Sequence, residues 1–79
     1  LASVGYARGE VKAINDITEQ IHKLRDLRGG FAGDAYKVIA TEIKRLEELR
    51  KQKVASLLTD FEVYKSKKVL EQLGVKKFD

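Results

Sequence analysis

Apolar residues recur at helical spacing along most of the chain. Val11, Ile14, Ile17, Ile21 and Leu24 follow one another at intervals of three and four, which places them on one stripe of an α-helix. Polar and charged residues fill the intervening positions, so the pattern predicts an amphipathic helix from about Ala7 to Arg28. Gly29 and Gly30 follow as residues free to turn left-handed at its C-terminus, and Arg25 and Arg28 suit the negative end of the helix dipole.

A second stripe begins after Gly33. Tyr36, Ile39, Ile43, Leu46, Val54, Leu57, Leu58 and Phe61 keep helical phase, and Asp34 is placed to cap the helix or to face the positive end of its dipole. Arg50 interrupts this stripe at a position where leucine is expected. The glycines at 29, 30 and 33 make the two helices antiparallel neighbours. In such a hairpin, Tyr36, Ile39, Ile43 and Leu46 are expected to face Ile14, Ile17, Ile21 and Leu24.

At Thr59 two readings stand. Thr59-Asp60-Phe61-Glu62 fits a capping box, Leu58 and Val63 take the staple positions, and Val63, Leu70 and Leu73 move to a face nearly opposite the preceding stripe. A new helix over residues 60–73, ended by Gly74 at C′ with Leu70 and Val75 flanking it, accounts for both observations. The alternative is one unbroken helix from Asp34 to Leu73 that presents two faces. The expected fold class is all-α in either case: an antiparallel helical hairpin with a third short C-terminal helix, or two long helices. The expected organisation is a single domain over residues 1–79, with helices at about 7–28, 34–58 and 60–73 and a basic tail over 74–79.

Size sharpens the functional question. A chain of 79 residues without cysteine has no disulfide or cysteine-ligated metal to support its core, and small cores of this kind are often completed by association. No apolar run approaches the roughly 18 residues of a membrane span. The chain begins at Leu1 rather than Met, which reads as a fragment or processed product and leaves its compartment open.

The net charge of +4 is concentrated at one end, where residues 64–79 carry five basic side chains (Lys65, Lys67, Lys68, Lys76, Lys77) against two acidic ones (Glu71, Asp79). These lysines are the candidates for a nucleic-acid contact through phosphates. Lys65, Lys67 and Lys68 do not share one helical face, so they form no focused stripe. Lys37, Lys44 and Lys51 do share a face, but Glu47 and Glu48 beside them give it the character of a salt-bridged surface.

Catalytic chemistry finds no foothold in the pattern. His22 is the only histidine, and Glu19 or Asp26 would give it a single partner on one turn, too few for a metal. Ser3, Ser56 and Ser66 lack the context of an activated nucleophile. Gly29-Gly30-Phe31-Ala32-Gly33-Asp34 leads into a helix, yet it follows a helix rather than a strand and places an acid where a phosphate would sit. The expectation is a protein with no enzymatic activity, cofactor, metal or small-molecule substrate.

Binding is the remaining class. Phe31 stands in the turn between two glycines, either plugging the open end of the hairpin or serving as an exposed aromatic anchor. Phe31-Ala32-Gly33 resembles the W-x-G turn of small secreted helical-hairpin proteins over these few residues, with phenylalanine for tryptophan. Tyr64 is followed four positions later by Lys68, where that family's export signal has an acid, so no membership is read from it.

Arg50 is expected either to lay its stem along the hairpin and pair with an acid such as Asp16 or Glu19, or to act as a polar specificity contact between helices. With Phe31 and Arg50, the apolar residues Val63, Val69, Leu70 and Leu73 complete the expected protein-interaction surface. The sequence therefore points to a helical interaction or assembly module that self-associates or joins a larger protein. The alternative is a nucleic-acid-binding accessory protein using the C-terminal lysines.

Overall fold

The computed structural model describes residues 4–60, 71, 72, 74 and 75. Two helices form an antiparallel hairpin, α1 over Val4–Arg28 and α2 over Gly33–Asp60. Among the described residues there is no strand. At a rise of about 1.5 Å per residue, α1 is about 37 Å long and α2 about 42 Å.

α1 starts earlier than its apolar pattern indicates, running from Val4 through Gly5 and Gly9. Gly9, inside the helix, costs it backbone entropy. The packing of Ala7 and Val11, both buried, offsets that cost. The helix winds down through Gly29 and Gly30, whose N–H groups donate to the carbonyls of Arg25 and Leu27, while Phe31 N–H donates to Arg28. Neither Gly29 nor Gly30 is the left-handed residue expected there. That role falls to Gly33, with φ at 65°, which turns the chain into α2 ahead of Asp34.

The core lies between the helices in two parts. Nearer the turn, Ile17 and Ile21 of α1 pack with Ile43 and Leu46 of α2, and Leu24, Ile39 and Leu49 border them. Toward the open end, Ala7, Val11 and Ile14 pack with Leu57, bordered by Val54 and Val75. The expected facing set is corrected at two positions. Ile14 meets Leu57 rather than the Ile39–Leu46 group. Tyr36 is 42% exposed, with the Arg28 guanidinium 5.5 Å from its ring centroid. Tyr36 stands in the first turn of α2, beside Arg28 at the end of α1, and Ile14 packs with Leu57 toward the far end of α2.

Thr59 is helical near the end of α2, and its hydroxyl donates to the Ala55 carbonyl at 2.9 Å; its expected capping partner Glu62 lies outside the described residues. The expected third helix lies mostly outside the described residues, but Glu71 and Gln72 are helical and the Gly74 N–H donates to the Glu71 carbonyl. Gly74 has φ at 92°, the left-handed backbone expected of a helix terminator. Asn15 Nδ2 donates to the Gly74 carbonyl at 2.7 Å, and Val75 packs on the open-end cluster. The chain thus returns to α1 after the hairpin. No described helix is long and apolar enough to cross a membrane.

Candidate functional site

Between the two apolar clusters sits a polar contact. Thr18 lies on the buried stripe of α1 and is 1% exposed. Its hydroxyl donates to the Ile14 carbonyl at 2.9 Å and accepts from Arg50 Nε at 2.7 Å. Both roles of the hydroxyl are used, and among the described residues no buried side-chain polar atom lacks a partner. Burial lowers the proton affinity of the Arg50 guanidinium below the usual arginine value. Arg50 is thus engaged within the hairpin, and the Thr18 hydroxyl is one of its partners.

One groove borders this contact. Arg25, Glu47, Arg50, Lys51 and Val54 line a depression of about 380 Å³ on the hairpin surface. Arg25 reaches across from α1 to Glu47 of α2, with 2.9 Å between Nη2 and Oε1. Two further ion pairs lie within single helices: Lys12 with Asp16, and Arg45 with Glu42. The Arg45–Glu42 hydrogen bond, helped by their charges, holds the Glu42 carboxyl below its usual range.

The second feature is the closed end. Among the described residues, four of the five exposed large apolar side chains fall between residues 27 and 38: Leu27 at 50%, Phe31 at 47%, Tyr36 at 42% and Val38 at 69%. Phe31 is therefore not a plug inside the hairpin. Leu27, Tyr36 and Val38 were not anticipated as exposed. The signal for Leu27 and Val38 was their position, since both fall off the apolar stripes of their helices.

The expected interaction residues Val63, Val69, Leu70 and Leu73 lie outside the described residues, as do Lys65, Lys67, Lys68, Lys76 and Lys77. Phe31 and Arg50 are not brought together: one is exposed in the turn, the other bonded mid-hairpin. Thr18 was missed, although it stands four residues after Ile14 and three before Ile21 on the same stripe. Among the described residues, no three His, Cys, Asp or Glu side chains could hold a metal ion. No protein-family model matches the chain, and neither the curated proteins nor the solved structures show a detectable match to it.

Proposed function

We propose that this chain is a helical protein-interaction module, an accessory or structural subunit that self-associates through the closed end of its hairpin and performs no covalent chemistry. The observation that carries this reading is the exposure of Leu27, Phe31 and Val38 around a single turn. Scattered apolar residues are ordinary on a protein surface, whereas several gathered in one region mark an interaction site. Phe31 is the natural anchor, because an aromatic ring presents a large area at little conformational cost.

The expected strength follows from the area involved. Half-exposed side chains of this size contribute on the order of 1 kcal/mol each when covered. A two-fold pairing covers each patch with its own copy, so every side chain counts twice. Association itself costs several kcal/mol, which makes the pairing weak and concentration-dependent.

Sedimentation velocity from about 10 μM to about 1 mM, a range that spans weak affinities, tests the reading. The average mass is expected to rise with concentration, and a Leu27→Ser, Phe31→Ser, Val38→Ser variant is expected to remain monomeric with unchanged helicity. Monomers throughout the series, or a triple variant that associates as the parent does, would remove the basis of the proposal.

A further inference from the structure

The outer face of α2 carries a row of lysines that the hairpin leaves unmatched. Lys37, Lys44 and Lys51 follow one another at seven-residue intervals, which keeps them on one helical face with a drift of about 20° per interval. At about 1.5 Å rise per residue they stand about 10 Å apart and span about 21 Å. All three are exposed. The salt bridges expected around them do not form. Glu47 reaches to Arg25 of α1, Glu42 is held by Arg45, and no ion pair among the described residues includes any of the three lysines.

The row is not a uniform positive stripe. Asp34 precedes Lys37 by one turn, at the positive end of the helix dipole, and Glu48 stands between Lys44 and Lys51. A continuous phosphate backbone would meet Glu48 as a like charge. A peptide helix instead carries carboxylates at discrete positions and can leave that place uncharged or basic. Between Lys37 and Lys44 the surface sinks into a depression of about 310 Å³, lined by Tyr36, Ala40 and Thr41 with the two lysines. Alanine and threonine are short, so a partner helix can approach α2 closely there and seat one apolar side chain beside Tyr36. The Thr41 hydroxyl already donates to the Lys37 carbonyl at 2.9 Å, so it places no unmet polar demand on that side chain.

We infer that this face is a docking surface for an acidic helix of a partner protein, whose carboxylates at seven-residue spacing meet Lys37, Lys44 and Lys51. Charge complementarity selects this occupant: the chain carries a net charge of +4, and long-range attraction steers an anionic partner toward it. A second copy fits poorly, because two such rows laid antiparallel set Lys44 against Lys44. The inference rests on different side chains from those proposed for self-association, so the two fail separately.

Titration of a blocked, helical Ala/Gln peptide of about 21 residues, long enough to span the row, tests the surface. The peptide carries three glutamates seven residues apart and one leucine between the first two. A control peptide of the same composition disperses its glutamates around the helix. In amide NMR of the intact chain, saturable shifts are expected along residues 36–51, and binding should weaken as ionic strength rises. Lys44→Gln should weaken it about twofold to fivefold, the effect of one exposed charge pair, and replacing all three lysines with glutamine should abolish it. Because Lys44 is exposed, its replacement leaves the hairpin core untouched. Phe31→Ser, aimed at self-association, should bind the peptide as the parent does. Absence of saturation, equal affinity for the control peptide, indifference to Lys44→Gln, or tighter binding of a short DNA duplex would each overturn the docking surface.

Discussion

Thr18 and Arg50 occupy positions where the apolar pattern of each helix would otherwise continue, and each makes the other tolerable. A buried hydroxyl without partners costs about 1–3 kcal/mol, and a desolvated guanidinium donor left unbonded costs at least as much. Thr18→Val, nearly equal in volume, should therefore lower unfolding stability in urea by about 1–3 kcal/mol. Combining it with Arg50→Leu should recover part of that loss, giving a coupling of about 0.5 kcal/mol or more in a double-mutant cycle. Simple additivity of the two substitutions would show that the contact carries no energy of its own.

The pair also marks a limit of sequence reading. Arg50 stood out because a charge interrupts an apolar stripe. Thr18 did not, because a hydroxyl is weakly polar and a β-branched side chain passes for packing.

Glu42 offers a separate test at this scale. The hydrogen bond from Arg45 lowers the Glu42 carboxyl in the folded chain. Its stabilising contribution is accordingly present above the ordinary glutamate range and lost as the pH falls through the lowered folded value. The pair lies at the surface, so solvent screens it and its effect on stability is small. A carbon-detected NMR titration should place the Glu42 midpoint below the ordinary glutamate range, and Arg45→Gln should return it to that range.

At the level of the elements, glycine substitutions separate turn chemistry from helix propensity. Gly33 has positive φ, and no other atom crowds the position its Cβ would take. Backbone strain alone is therefore expected to make Gly33→Ala destabilising by about 1–2 kcal/mol. Gly9 lies within α1 with open space around it, so Gly9→Ala is expected to stabilise the hairpin by about 0.5–1 kcal/mol. Thermal melts of the two variants should move in opposite directions. Equal or reversed shifts would contradict the backbone account of the turn.

The elements themselves were legible, because apolar residues three and four apart leave few alternatives to a helix. Their pairing was only half legible. Periodicity assigns a face but not a distance along the axis, so Ile14 was matched to the wrong part of α2 and Tyr36 was placed inside. The return of Gly74 and Val75 to α1 has no periodic signal at all, since it depends on one side-chain amide meeting one carbonyl.

For the whole molecule, two long helices meet along one shared stripe, and the polar Thr18–Arg50 contact divides that stripe into two small apolar clusters. The side chains near the turn that miss this stripe have nothing within the hairpin to cover them. Leu27, Phe31 and Val38 remain in contact with water for this reason, and their exposure underlies the proposed self-association. Charge plays a different part, distributed along the helices and left unmatched in the lysine row on the outer face of α2.

The most direct measurement is an amide NMR dilution series of the intact chain, since it reports both whether the molecules meet and where. The account predicts concentration-dependent shifts centred on residues 27–38, fading when Phe31 is replaced by serine. Spectra that do not change with concentration, or changes centred away from the closed end, would contradict it.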